Sequence, residues 1–277
     1  MSTRMRQALF QHLGELRHEP TDKRIRALLG GRVVADTTGA VLVWEPRRVV
    51  PTYAVPVADV VGDLAPAGAA RVTADTVGLR LPAVTDRPVL DPSIPFEVHT
   101  TDGEAVEVRG PDGGPSGAGF RPADPDLAEH VVLDFAAFDW LEEDEPVVSH
   151  PHDPFHRIDV LRSSRPVRLE LDGGVLAETT RARFLFETSL PMRFYLPRED
   201  VRVELQPSAT RTWCAYKGEA AYWSPVVGGG TVPDLAWSYD APLHEAGAVG
   251  GLVCFFDERV DVVLDGRRRE RPVTPWS

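Results

Sequence analysis

The first apolar positions of the chain recur with helical spacing. Met5, Leu9, Phe10, Leu13 and Leu16 follow i, i+3, i+4, and Ile25, Leu28 and Leu29 continue the pattern until Gly30-Gly31 stops it. This predicts a helical segment over residues 1–29, broken near Glu19-Pro20-Thr21-Asp22, with Thr21 or Asp22 capping the second piece. Beyond it the texture changes to short alternating apolar runs punctuated by Gly, Pro and Asp. That pattern predicts a mainly β chain.

Within the β part, the pattern occurs twice. Residues 35–45, Ala35-Asp36-Thr37-Thr38 through Trp44-Glu45, read against residues 177–187, Ala177-Glu178-Thr179-Thr180 through Phe186-Glu187. Tyr53-Ala54-Val55-Pro56 through Asp59-Val60 reads against Phe194-Tyr195-Leu196-Pro197 through Asp200-Val201. The copies also end alike, with Arg157-Ile158-Asp159-Val160 matching Arg259-Val260-Asp261-Val262. The expected organisation is a first, degenerate domain over residues 30–162, a second over residues 163–266, and a charged, solvated tail over residues 267–277. The middle of the first copy, residues 61–126, is poor in reactive groups, and Pro111-Asp112-Gly113-Gly114-Pro115-Ser116-Gly117 reads as a flexible loop.

Composition narrows the functional classes. Apolar residues make up 43% of 277, enough for packed cores. A net charge of −12 argues against nucleic acid and anionic membranes as partners. There is no membrane-spanning apolar run and no secretory leader, so the expected location is cytoplasmic. Two cysteines, Cys214 and Cys254, make neither a disulfide framework nor a cysteine-only zinc site. Of 30 basic residues only Lys23 and Lys217 are lysine. A lysine kept where arginine is the habitual cation suggests a role that arginine cannot fill.

Lys217 lies in the densest chemistry of the chain, Thr210-Arg211-Thr212-Trp213-Cys214-Ala215-Tyr216-Lys217-Gly218-Glu219-Ala220-Ala221-Tyr222-Trp223-Ser224. Read as a hairpin turning at Gly218, it sets Thr212, Cys214 and Tyr216 on one face and Trp213, Ala215 and Lys217 on the other. Aromatic walls with a few polar groups are the usual lining of small-ligand pockets. Cys214 and Lys217 are the candidate catalytic residues, the thiol becoming a nucleophile if a nearby cation lowers its pKa. The alternative is an amphipathic hairpin with one core face. Arg193, Tyr195 and Arg198 form a second group able to take an anion, or else a surface network with Glu199 and Asp200. His150, His152 and His156 with Asp153 form a third, in a proline-kinked loop better suited to hydrogen bonding at a domain seam than to a metal. Cys254 reads as core, and His244 is the one histidine within residues 163–266. Phosphate-loop, dinucleotide and serine-hydrolase motifs are absent, so no cofactor is expected, and Gly228-Gly229-Gly230 reads as a hairpin turn.

Thr180-Arg181-Ala182 through Glu187, Tyr195 through Val201, Cys214 through Ser224 and Ala236-Trp237-Ser238-Tyr239 together resemble the bacterial domain-of-unknown-function family 427, also labelled nucleotidyltransferase-like. The likeness is fullest over residues 165–265. Trp140 through Glu145 and His150 through Arg157 resemble the long actinobacterial members that carry two such domains. The resemblance implies a β-tent fold, two small antiparallel sheets splayed apart with a pocket between them. Related tents hold zinc through paired cysteines that this chain lacks, so no structural metal is expected. Nucleotidyltransfer would also call for paired metal-binding carboxylates, and no such pair stands out. The leading expectation is a small polar or anionic ligand held in the second domain by Arg181, Glu187, Arg193, Tyr195, Arg198, Tyr216, Glu219, Tyr222, Trp223 and Trp237. The alternatives are an enzyme acting through Cys214 or Lys217, and an interaction module without catalysis. The oligomeric state stays open.

Overall fold

The computed structural model describes residues 2–69, 78–80, 88–110 and 115–274. The chain is mainly β, built from open antiparallel sheets, and divides into two compact units, Met1–Asp153 and Pro154–Ser277. Among the described residues no helix is long and apolar enough to cross a membrane.

In the first unit a seven-stranded sheet runs in the order Arg17–Pro20, Val41–Trp44, Thr52–Pro56, His130–Leu133, Ser116–Pro122, Gly103–Arg109, Asp63–Ala69. A four-stranded sheet runs Glu145–Val147, Asp139–Glu142, Ile25–Leu29, Arg32–Thr37. Ile25, Ala27, Val34, Tyr53, Val55 and Trp140 from the two sheets share one core. The second unit repeats this order and adds one short strand, Gly230–Thr231, beside Gly218–Val227. Its large sheet runs Ile158–Arg162, Arg183–Glu187, Arg193–Leu196, Val253–Phe255, Ala236–Ser238, Gly218–Val227, Leu205–Cys214. Its small sheet runs Arg267–Arg268, Asp261–Leu264, Val167–Leu171, Gly174–Thr179. Val167, Leu169, Phe184, Phe194, Phe255 and Val262 fill the space between the sheets.

The register ties the copies residue to residue. Leu29 faces Arg32 across Gly30-Gly31, and Leu171 faces Gly174 across Asp172-Gly173. All four turn residues have positive φ (59°, 77°, 50° and 81°), the two-residue turn that matches strand twist. In both copies a threonine hydroxyl joins two elements. Thr37 Oγ1 donates to Asp59 and accepts from the Gly39 amide, as Thr179 Oγ1 donates to Asp200 and accepts from the Arg181 amide. The Thr-Thr turn and the later acidic residue of the repeat are thus two ends of one hydrogen-bonded contact.

Several sequence expectations are corrected. The N-terminal helix is confined to Met5–Leu9, and Arg17–Pro20 and Ile25–Leu29 are strands. Ile25, Ala27 and Leu29 are buried and alternate with Arg26 and Leu28, so the period is two. Next, Ile158–Arg162 opens the second copy, since it pairs with Arg183–Glu187 as Arg17–Pro20 pairs with Val41–Trp44. The second unit therefore begins at Pro154, ahead of the expected residue 163. The match of Arg157–Val160 with Arg259–Val262 reflects only the apolar-acidic alternation common to half-buried strands. Of the expected loop at 111–117, residues 111–114 lie outside the described residues, while Ser116 and Gly117 already belong to a strand. The tail is likewise not free throughout, because Arg267–Arg268 pairs with Val263 and Leu264.

Candidate functional site

The face of the second unit's large sheet turned away from the inter-sheet core carries the chemistry. Strand alternation puts Leu185 and Glu187, Arg193 and Tyr195, Cys254, and Trp237 on it, joined across the ladder by the pairs Leu185–Arg193, Tyr195–Cys254 and Trp237–Cys254. Tyr222 lies opposite Trp237. Ala246 and Val249, from a short 3-10 helix, close over part of this face.

Glu187 sits at the end of its strand with its side chain 6% exposed. Lys217 Nζ lies 2.7 Å from Oε1 and 2.6 Å from Oε2, donating to both. His156 Nε2 lies 3.0 Å from Oε1, and its ring stacks on Tyr216 at 4.4 Å between centroids. Cys214, a half-buried thiol, lies close enough to act electrostatically on Lys217. Burial would raise the Glu187 pKa, but the Lys217 charge and the His156 and Lys217 hydrogen bonds outweigh it and hold the group at about 2. Burial works to lower the Lys217 pKa, yet Glu187 first and Cys214 second outweigh it, and the pKa is raised. Lys217 is therefore a buried, fully charged ammonium, and a neutral amine base is not what this environment produces.

Lys217 is not carried on a strand, contrary to the alternation expected from sequence. The strand stops at Cys214, and Ala215, Tyr216 and Lys217 form a buried loop closed by the Cys214–Gly218 pair. Gly218, at φ 87°, supplies the reversal. Face parity ends with the strand, which is how Lys217 comes to lie beside Cys214. Trp213, expected as an aromatic wall, is 56% exposed.

A second polar group lies farther along the same face. Arg193 donates two 2.7 Å bonds to the Glu258 carboxylate, and Thr274 Oγ1 donates a 2.6 Å bond to it. Arg193 Cζ lies 5.6 Å from the Trp237 ring, whose Nε1 donates to Tyr195 Oη at 3.1 Å. Asp257 is buried beside this pair. Burial, with Glu258 adding to it and Arg193 opposing, pushes the Asp257 pKa up to about 7. Burial likewise raises the pKa values of Tyr195, Tyr239 and Cys254.

The structure thus brings Cys214, Lys217, Glu187 and Tyr216 together, with Tyr195, Tyr222 and Trp237 on the same sheet face. Arg193 shares that face but is taken by Glu258. Arg181 is exposed and pairs with Glu199 and Asp200. Arg198 is exposed and stacks on Trp223 at 4.0 Å, and Trp223 Nε1 donates to Ser238 on the inter-sheet side. Glu219 is exposed opposite Trp213. Sequence reasoning missed His156 as a member of the cluster, because it was assigned to a seam loop ahead of the second domain. His152 meets Glu142 in the first unit, and His150 Nδ1 lies 2.8 Å from the Pro151 carbonyl. Among the described residues no group of three or more His, Cys, Asp or Glu has the arrangement to hold a metal ion. His244 is 84% exposed beside Glu245.

The first unit keeps the carboxylate and changes its partners. Glu45 is the register equivalent of Glu187, and its side chain is as buried. It accepts from the Thr100 amide at 2.7 Å, and His99 Nδ1 lies 2.9 Å from its Oε1. The His99 ring stacks on Phe120 at 3.7 Å, and Phe120 is the register equivalent of Trp237. Both Lys217 and His99 come from the connection between the last two strands of the sheet. That connection is residues 215–217 in the second unit and residues 70–102 in the first. A glutamate at this place in both copies was visible in the repeat itself.

No curated protein matches the chain. Residues 17–75 and 159–266 match one family, and the segments open at Arg17 and Asp159. These are equivalent positions in the two copies, opposite Trp44 and Phe186. The chain belongs to the family described as "Domain of unknown function (DUF427)".

Proposed function

We propose that the second unit binds a small polar or anionic molecule at the hairpin loop Ala215-Tyr216-Lys217, beside Cys214 and His156. The supporting observation is the buried Lys217–Glu187 pair next to a half-buried thiol. A buried ion pair generally gains little stability over well-packed apolar side chains, so a lysine held this way fits a recognition role better than a purely structural one. The shared glutamate with different partners in the first copy supports the same reading. The carboxylate belongs to the common framework, and the ammonium and thiol are specific to the second unit.

The test is a thermal-shift screen of small carboxylates, phosphates and neutral polar metabolites against the wild-type chain and Lys217→Arg. A true ligand at 100 times its dissociation constant stabilises the wild type by about 2.7 kcal/mol. Lys217→Arg should lose most of that response, since a guanidinium cannot occupy the compact ammonium position. Equal stabilisation of both proteins would remove Lys217 from the site.

The closeness of Cys214 to the Lys217 ammonium favours a second reading, covalent chemistry at the thiol. Iodoacetamide labelling of Cys214 across pH separates the two. Labelling at neutral pH faster than in the unfolded chain supports a nucleophile, and labelling no faster leaves binding alone.

A further inference from the structure

We infer that the second unit carries another site, for a small oxyanion, in the arginine-walled depression where its two sheets open. The depression has a volume of about 420 Å³ and is lined by Arg165, Leu264, Asp265, Arg267, Arg268 and Arg269. Four arginines against one aspartate is an unusual local balance in a chain of net charge −12. It lies on the inter-sheet side. Arg165 Cζ is 5.7 Å from the ring of Phe184 and Arg269 Cζ is 5.9 Å from that of Phe194, both rings belonging to that core. The Lys217 cluster is on the opposite face of the same sheet.

The duplication says what belongs in the depression. Ile25 faces Glu142 as Val167 faces Leu264, so Glu142 of the first copy corresponds to Leu264 of the second. By the same ladders Lys23 corresponds to Arg165, Tyr53 to Phe194 and Glu145 to Arg267. The backbone agrees, with the Glu143 amide donating to the Arg24 carbonyl as the Asp265 amide donates to that of Pro166.

In the first copy a carboxylate fills this place. Glu142 accepts from Lys23 Nζ at 2.6 Å and from Tyr53 Oη at 2.5 Å, and His152 Nδ1 lies 2.9 Å from it. Burial would raise its pKa, but the hydrogen bonds from His152, Lys23 and Tyr53 outweigh it and bring it to about 2. In the second copy that internal carboxylate has become leucine. The cation is kept as Arg165, and Arg267, Arg268 and Arg269 are added.

Asp265 engages Arg165 at 2.8 and 2.6 Å, and Asp261 and Glu170 engage Arg268, which fixes both guanidinium groups. Arg267 pairs with no carboxylate among the described residues, and Arg269 lies against the Phe194 ring with its charge acting on the buried Asp257. The site offers planar donor forks suited to carboxylate or phosphate. It takes from solution the group that the first copy supplies from its own chain.

The test is an NMR titration of arginine Nε–H resonances in the full chain with sodium phosphate and with sodium succinate, each against sodium chloride at equal ionic strength. Saturable shifts are expected with at least one oxyanion and not with chloride, and the lower half-saturating concentration identifies the preferred class. Arg267→Ala/Arg269→Ala, on an exposed edge, should bind roughly tenfold more weakly. Leu264→Glu, which restores the first copy's carboxylate, should abolish the response. Lys217→Met/Glu187→Leu, which removes both charges of the buried pair, should leave it intact. Shifts no larger than those in chloride would overturn the proposal, as would a response unchanged in Arg267→Ala/Arg269→Ala. A response lost in Lys217→Met/Glu187→Leu but kept in the arginine variant would assign the anion to the hairpin and also overturn it. If Leu264→Glu does not fold, the arginine variant decides.

Discussion

Lys217 and Glu187 show how one residue can be legible and its partner not. Lys217 stands out because lysine is scarce in the chain. Its partner lies 30 positions earlier in sequence, on another strand, and only the sheet order brings them together. Breaking the pair leaves a charge stranded in a dry site. Lys217→Met should therefore destabilise the second unit by about 3–5 kcal/mol, measured by urea denaturation, and Glu187→Leu in the same chain should recover much of the loss. Failure of the second substitution to compensate would mean that the surrounding hydrogen bonds, not the charges, set the cost. Asp257 gives a pH signature of opposite sign to Glu187. Its folded pKa, about 7, is raised above the ordinary aspartate value of 3.8, so the stability it favours is present below pH 3.8 and is lost as pH rises through 7. Asp257→Asn should raise the melting temperature by several degrees at pH 8 and have little effect at pH 4. Glu187, lowered from 4.5 to about 2, instead contributes stability above pH 4.5 that is lost as pH falls towards 2. A wild-type profile flat between pH 2 and 4.5 would contradict the ion pair.

At the scale of elements, the β texture and the Thr-Thr turn were readable, and the opening strands were not. Arg17 to Leu29 satisfies two periods at once, because Leu28 and Leu29 complete a helical pattern as readily as Ala27 and Leu29 complete an alternating one. Gly30-Gly31 is ambiguous in the same way, since a helix stop and a tight hairpin both want glycine. The deciding information was the second copy, where Asp172-Gly173 stands at the same place and is a hairpin signal with no helical reading. Gly173 is held at φ 81°, and an added Cβ would meet nothing within 4 Å. Gly173→Ala should therefore cost about 1–2 kcal/mol from backbone strain alone. Chemical denaturation should detect the loss in the second unit, and a neutral result would mean that the turn can relax to another type. The hairpin carrying Cys214 was also predicted, but the side-chain directions predicted beyond Cys214 do not hold, because the strand ends there. Alternation is a property of extended backbone and has no force in a loop.

At the scale of the molecule, the duplication was legible but its frame was not. Matching the copies by sequence set the boundary near residue 163, whereas strand pairing sets it at Pro154. The difference assigns His156 and the strand Ile158–Arg162 to the second unit. A fragment of residues 154–277 should fold cooperatively on its own, since it contains both of its sheets and its core. A fragment of residues 163–277 leaves Arg183–Glu187 as an uncovered edge and removes one hydrogen bond from Glu187. It should unfold at a clearly lower urea concentration. Equal midpoints for the two fragments would mean that the first strand is dispensable and the sequence-based boundary serves as well.

Identical strand order in adjacent copies also creates a hazard during folding. A strand emerging from one copy finds in the other a ladder of suitable length and direction, and exchange of equivalent elements is a characteristic failure of tandem domains. Buried positions at which the copies differ guard against it. Tyr53 stands where Phe194 does, Ala54 where Tyr195 does, and Val132 where Cys254 does. A strand seated in the wrong copy would set Tyr195 against a space shaped for a methyl group, or leave a hole the size of a phenol ring, and neither overpacking nor a void is tolerated in a close-packed interior. Divergence that reads as erosion of the first copy therefore has a second effect, giving each half of the chain a lock that the other half's strands do not fit.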